Sequence, residues 1–135
     1  MKKIAFYSIL LIIVLASCNK DIINKDKNAK LKFSSSIITF DTIFTGVSSI
    51  TQRLMIYNPY NTNLITDIFL LGDKNSYFSI NVNGVSTTKL ENVEVPAKDS
   101  IFIFIKTILN PNQQNTPLLI TDTILFFTNG KTATL

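Results

Sequence analysis

The feature that most constrains this fold is the dense recurrence of short β-branched and aromatic runs between turn residues, from residue 33 onward. Apolar and polar residues alternate in several runs, as they do around Phe78, Ile80 and Val82. A period of two predicts strands that each bury one face. Helical apolar spacing is absent from this part of the sequence. The predicted strands lie at 37–44, 50–57, 64–71, 77–82, 90–95, 101–108 and 120–128, and a further one begins at 132–135.

Two Asn-Gly pairs predict tight hairpins, at Asn83-Gly84 and Asn129-Gly130. Both residue types accept the positive φ angles that a two-residue hairpin turn requires. About seven short strands with turns at this spacing predict an all-β fold, an immunoglobulin-like β-sandwich. The chain has a single cysteine, so such a sandwich would lack an internal disulfide.

The run at 101–108 is apolar on both faces. Such a strand is either central and covered or packs on a neighbour. We expect one face of it to point into the core, formed by Ile101, Ile103 and Ile105, with Phe102 and Phe104 on the other.

The order of short motifs is more specific than the fold class. The motifs lie at 40–46, 56–58, 78–80, 95–101, 110–111 and 124–129. Together they resemble the ASH-type branch of PapD-like immunoglobulin domains, and most closely the N-terminal domain of a group of Bacteroidota lipoproteins. The resemblance covers residue 31 to the end and implies that the last strand is truncated. We therefore expect an open edge beside the strand at 120–128 and a tendency to self-association.

The N-terminus has the layout of an export signal. Lys2 and Lys3 precede an apolar run at 4–15, which is shorter than the roughly 20 residues that span a bilayer. Leu15-Ala16-Ser17-Cys18 then resembles the lipobox of bacterial lipoproteins, in which the cysteine is lipidated. The alternative is an ordinary secretory signal with an incidental cysteine. We predict a signal-peptide helix at 1–17, a lipidated Cys18 with a flexible tether at 18–32, and a sandwich domain at 33–135.

The predicted tether is rich in Lys, Asn and Asp, and such a composition favours a mobile segment. Fully extended, it reaches at most about 45–50 Å, so the domain would stay near the membrane surface. Asn19-Lys20-Asp21 partly resembles the export tag of Bacteroidota surface lipoproteins. We expect an outer-membrane location and leave open whether the domain faces the periplasm or the cell surface.

Composition excludes several kinds of chemistry. The chain has no histidine, and this removes imidazole-based acid–base catalysis and thiolate–imidazole zinc sites. From residue 33 onward, six basic and seven acidic residues give a net charge of −1. Such a charge argues against a nucleic-acid-binding domain. No phosphate-binding, nucleophile or metal motif occurs, so we expect no catalytic residue, cofactor or metal.

Three copies of the pattern Asp, hydroxyl residue, aliphatic residue stand out. Their hydroxyl residues are Thr42, Ser100 and Thr123. The aspartates could pair across a cleft as catalytic carboxylates, but turn-to-strand junctions explain them better, because Asp and Ser/Thr there bond to nearby backbone. The pattern also resembles the O-glycosylation acceptor of exported Bacteroidota proteins. The junction and glycosylation interpretations both stay open for each residue.

These observations favour a lipid-anchored cell-envelope protein with a non-catalytic, structural or adhesive module. It would contact the membrane through Cys18, and other envelope proteins or glycans through sheet edges and loops. One alternative is a glycan-binding lipoprotein of a nutrient-uptake system, which aromatic side chains clustered on one exposed face would favour. Another is the N-terminal fragment of a larger surface protein.

Overall fold

The computed structural model describes residues 22–41, 50–107 and 119–135, in which almost all regular structure is β-strand. One short 3₁₀ helix, Asp73–Asn75, lies between the third and fourth of the nine described strands. The strands are β1 (Lys32–Phe33), β2 (Gln52–Tyr57), β3 (Leu64–Leu70), β4 (Phe78–Val82), β5 (Val85–Thr87), β6 (Lys89–Val95), β7 (Ser100–Thr107), β8 (Ile124–Thr128) and β9 (Lys131–Thr134).

The strands form two antiparallel sheets. One has five strands in the order β1-β2-β7-β4-β5, and the other has four in the order β6-β3-β8-β9. Residues on the inner faces of both sheets are buried while most of their strand neighbours are not, as expected for two sheets packed face to face. The predicted all-β sandwich is confirmed.

The core lies between the sheets and consists mainly of aliphatic side chains. Phe126 is the largest fully buried side chain. Ile101, Ile103 and Ile105 of β7 all point into this core, as the sequence predicts. The core residues are Leu54, Ile56, Ile68, Leu70, Ile80, Val82, Val95, Ile101, Ile103, Ile105, Ile124 and Phe126.

Both predicted hairpins are present. Asn83 and Gly84 have φ angles of 47° and 96°, and they join Val82 directly to its partner Val85. Asn129 and Gly130, at 49° and 85°, join β8 to β9 in the same way. These positive φ angles are those of the type I′ turn that the Asn-Gly sequence favours.

Two short strands raise the number of strands above the expected seven. One is β1, and the other is β5, the second arm of the Asn83-Gly84 hairpin. After β5 the chain passes to the other sheet within one residue, because Thr88 accepts a hydrogen bond from Leu70 N of β3 through its carbonyl oxygen (2.8 Å). The strand that follows, β6, is therefore an edge of the four-stranded sheet.

The first predicted strand, at 37–44, is wrong for residues 37–41, which have no regular structure. Residues 42–44 lie outside the described ranges. Ser35 Oγ donates to Ile37 O (2.5 Å) and accepts from Ile37 N (3.3 Å), and this local turn competes with strand pairing. The strand that pairs with this edge of β2 is β1, which lies earlier in the chain than the predicted strand.

The expectation of an unpaired edge beside β8 is also wrong. β9 pairs with β8 from Thr128 to Leu125, and Leu135 exchanges both backbone hydrogen bonds with Ile124 (2.8 and 3.0 Å). β8 is shorter than the strand predicted at 120–128, because it begins only at Ile124. The two edge strands of this sheet are β9 and β6.

The described part of the predicted tether packs on the sandwich instead of forming a free linker. Asn63 N donates to Ile22 O (2.9 Å), and Asn24 N donates to Asn63 O (2.7 Å). Ala29 is 1% exposed, and Leu31 packs against the core. Residues 22–31, here called the N-terminal segment, are thus part of the folded unit.

Candidate functional site

The predicted site residues are not brought together. Cys18 and Thr42 lie outside the described residues. Ser100 is the first residue of β7, in the five-stranded sheet, whereas Thr123 directly precedes β8 in the other sheet. Both residues are half-buried. In each case the preceding aspartate accepts a 2.7 Å hydrogen bond from the backbone N–H of the hydroxyl residue. Both motifs therefore have the geometry of a turn-to-strand junction.

The carboxylate of Asp122 has a further structural role. Its Oδ1 also accepts from Gly72 N (3.0 Å), and its Oδ2 accepts from Ser76 Oγ. The carboxylate thereby joins the start of β8 to the loop after β3. These hydrogen bonds hold the loop after β3 against the start of β8.

Two other aspartates also bond to nearby groups. Asp67 Oδ1 accepts from Asn92 N (2.8 Å), and Asp73 Oδ1 accepts from Thr88 Oγ1 (2.5 Å). The hydrogen bond from Thr88 is the main reason why the pKa of Asp73 is lowered, because it stabilises the ionised carboxylate. In the described part of the chain, no three His, Cys, Asp or Glu side chains form a group that could hold a metal ion.

The sequence did not indicate the role of Asn58, whose buried side chain joins the loop after β2 to the end of β6. We call this set of hydrogen bonds the internal clamp. Asn58 is 2% exposed, and its Nδ2 donates to Thr62 O (2.8 Å) and Val95 O (2.9 Å). Its Oδ1 accepts from Tyr60 N (3.0 Å). In the sequence, Asn58 ends the motif at 56–58 and begins an Asn-Pro turn, which predicts a turn but not a buried amide.

A partly exposed surface with several apolar side chains lies on the outer side of β2 and β7 in the five-stranded sheet. We call it the aromatic face and define it by Arg53, Met55, Tyr57, Phe102 and Phe104. The rings of Phe102 and Phe104 are in contact, with centroids 4.9 Å apart, and Phe104 is 38% exposed. Phe104 lies directly beside Arg53 on β2, and Phe102 beside Met55. These contacts make the surface continuous across two strands.

The charge of the five-stranded sheet is entirely positive. Its five strands contain Lys32, Arg53 and Lys106 and no acidic residue. The four-stranded sheet, in contrast, carries both signs, including the exposed ion pair of Lys89 with Glu91 (2.8 Å). That pair raises the pKa of Lys89, mainly through the hydrogen bond that Lys89 donates to the Glu91 carboxylate. The aromatic face is therefore both apolar and basic.

A groove of about 540 Å³ opens between the N-terminal segment with β1 on one side and β9 on the other. Phe33 and Phe126, whose ring centroids are 4.7 Å apart, lie among its lining side chains. The contact between these two rings joins the two sheets at the groove, and the N-terminal segment adds further contacts. For example, Lys131 Nζ donates to Asn28 Oδ1 there (2.9 Å).

No family model, curated protein or solved structure matches this chain. None of the described residues belongs to a helix long and apolar enough to cross a membrane. The predicted signal-peptide helix lies outside those residues.

Proposed function

We propose that this protein is a lipid-anchored component of the cell envelope whose sandwich is a non-catalytic, adhesive or structural module. The lipobox-like sequence ending at Cys18 supports the anchor, in the outer membrane. The carboxylates of Asp99 and Asp122, which bond to backbone at strand junctions, support a non-catalytic domain. The ASH- and PapD-like resemblance of the motifs supports a module of immunoglobulin type.

The observation that carries the adhesive function is the aromatic face. Phe102, Phe104, Met55 and Tyr57 place apolar side chains on the outside of a sheet whose inner face already fills the core. Contiguous apolar surface of this kind marks interaction sites in soluble domains. Arg and aromatic residues are also the types enriched where partner proteins bind. We propose that a second envelope protein covers this face.

Two experiments test the two parts of this function. Cells fed a clickable palmitate analogue should label the wild-type chain and not Cys18→Ser, and equal labelling of both would contradict the anchor. For adhesion, a photo-crosslinking residue at position 104 should yield a discrete adduct in living cells. Position 127 is the matched control, because Phe127 is 44% exposed on the outer face of the other sheet. Equal adduct formation at both positions would contradict a role for the aromatic face.

Glycan binding is the second candidate, and the polar neighbours of Phe104 favour it. Asn81 and Arg53 lie directly beside Phe104 on the two adjacent strands. An exposed ring flanked by an amide and a guanidinium offers stacking together with hydrogen-bond donors. Affinity electrophoresis against soluble polysaccharides would test it. Phe104→Ala should abolish any retardation that Phe127→Ala retains.

A further inference from the structure

The N-terminal segment enters the sandwich at one end, where many strand termini meet. Asn129 Nδ2, in the turn between β8 and β9, donates to Asn24 O and Asp26 O (both 3.0 Å). Lys30 N donates to the hydroxyl of Tyr60, in the loop between β2 and β3 (3.1 Å). This loop also bonds to the turn before β7, because Lys98 N donates to Tyr60 O (2.9 Å). These loops and turns therefore form one continuous surface.

This surface is rich in lysine, and we call it the basic end. Its exposed lysines are Lys25, Lys27, Lys30, Lys98 and Lys131. The acidic residues near them are Asp26, Glu94 and Asp99, so the net charge is positive. In the described part of the chain, none of the five lysines forms an ion pair. Lys98 Nζ donates to Pro59 O (2.6 Å) and Lys131 Nζ to Asn28 Oδ1, which are neutral acceptors.

Two isoleucines project from the same end. Ile22 is 66% exposed and Ile23 is 49% exposed, although Ile23 pairs with Asn63 through the backbone. Exposed aliphatic side chains beside several lysines are the combination found where proteins lie in a membrane interface. The aliphatic groups enter the boundary of the acyl chains, and the ammonium groups pair with anionic headgroups.

Chain length ties this end to the membrane if Cys18 is lipidated. Because the chain is already bound to the sandwich at Ile22, only three residues separate the lipidated cysteine from the fold. Such a connection reaches at most about 14 Å when fully extended. The basic end must then lie close to the lipid headgroups. Their charge acts over about 8–10 Å, which is comparable to the length of the connection.

We infer that the basic end docks on an anionic lipid surface, with Ile22 and Ile23 at the interface. This inference rests on the proposed lipid anchor. Docking gives the domain one orientation, in which the strands extend away from the membrane and the aromatic face stays open to a partner. Each lysine close to an anionic surface strengthens the attachment about fivefold, and the excess of lysines over acidic residues at this end therefore favours docking there.

The test is lysine footprinting of the mature lipoprotein in vesicles. The purified protein is reconstituted either with phosphatidylglycerol in the bilayer or with phosphatidylcholine alone, and is labelled with a membrane-impermeant amine reagent. Lys74 and Lys106, at the opposite end, are internal controls. We expect the lysines of the basic end to be labelled at least about fivefold more slowly in phosphatidylglycerol vesicles. Added salt should remove this protection.

Two charge-reversed variants complete the test. Lys25→Glu with Lys27→Glu should remove the protection from Lys30, Lys98 and Lys131. Lys74→Glu with Lys106→Glu changes the net charge equally and should leave it intact. The basic end should therefore respond to the position of the charges and not to their total.

Mass spectrometry of the N-terminal peptide separates the possible failures. A peptide without acyl chains would overturn both the anchor and the inference, because the short connection is lost. An acylated protein labelled equally at both ends would overturn the inference and leave the anchor in place. Protection that persists in phosphatidylcholine or at high salt would also overturn it, because the contact would not depend on lipid charge.

Discussion

Replacement of Asn58 by aspartate tests the internal clamp with almost no change of shape. In the wild type, Nδ2 of Asn58 donates to two carbonyl oxygens, Thr62 O and Val95 O, and Oδ1 accepts from Tyr60 N. An aspartate keeps the acceptor but places a second oxygen against the two carbonyls. Asn58→Asp therefore turns two attractive contacts into repulsive ones, at a site that is 2% exposed.

The size of the effect depends on the charge of the new carboxyl group. A neutral carboxyl group can still donate one hydrogen bond, so the free energy of unfolding of the variant falls by only about 1 kcal/mol while the new carboxyl group is protonated. An ionised carboxylate in this place is buried and unpaired, so the decrease in the free energy of unfolding grows to about 3–5 kcal/mol. The pKa of the new group is therefore raised in the folded state. The destabilisation is smallest below the unfolded carboxyl pKa of about 3.9 and increases as the pH rises above it.

Urea unfolding of the wild type and of Asn58→Asp at several pH values measures this difference. Asn61→Asp is the matched control, because Asn61 is an exposed residue of the same loop. The control should stay within about 0.5 kcal/mol of the wild type at every pH. If Asn58→Asp lowered the free energy of unfolding only slightly, or by the same amount at every pH, the proposed role of the Asn58 hydrogen bonds would be refuted.

Three further predictions concern the core, the loop after β3 and one carboxylate. Ile103→Ala should lower the free energy of unfolding by about 2–5 kcal/mol in urea, because Ile103 is fully buried. Gly72→Ala should lower it by about 1–3 kcal/mol, since the new Cβ would lie 2.6 Å from Asp122 Oδ2, although a φ of −68° suits alanine. Thr88→Val should raise the pKa of Asp73 towards its ordinary value in an NMR titration. Because the pKa of Asp73 is lowered in the fold, its ionised carboxylate adds to the free energy of unfolding, and this contribution is lost as the pH falls through that pKa. Over the same fall in pH, Thr88→Val should lose less of its free energy of unfolding than the wild type.

Local signals predicted the parts of the fold that depend on local chemistry. Asn83-Gly84 and Asn129-Gly130 adopt the expected turns, because the preference for positive φ belongs to those residues themselves. The inward face of β7 was predictable from the alternation of Ile with other residues. The assignment of the phenylalanines to the outer face follows from it, since side chains alternate along a strand.

The features that were missed depend on distant partners. The change of sheet at Thr88 requires a hydrogen bond from Leu70, eighteen residues earlier in the chain. The burial of Asn58 requires the carbonyl of Val95, thirty-seven residues later. Neither partner has a recognisable pattern, because any backbone carbonyl or N–H can take its place. The aromatic face was likewise unpredictable as a surface, since it combines side chains from β2 and β7, which are far apart in the sequence.

The N-terminal segment shows most clearly why composition alone was insufficient. Its Asn and Asp residues indicate a solvated linker when they are read as polar surface. In the structure their main-chain and side-chain oxygens accept from Asn129 Nδ2 and Lys131 Nζ, and the small side chain of Ala29 allows close approach to the sandwich. The same residues that predicted a mobile tether thus hold the segment in place. As a consequence, the distance between the proposed anchor and the domain is set by the few residues before Ile22. With the proposed anchor in place, the end of the domain that carries the N-terminal segment would face the membrane, and Lys25, Lys27 and Lys30 are exposed there.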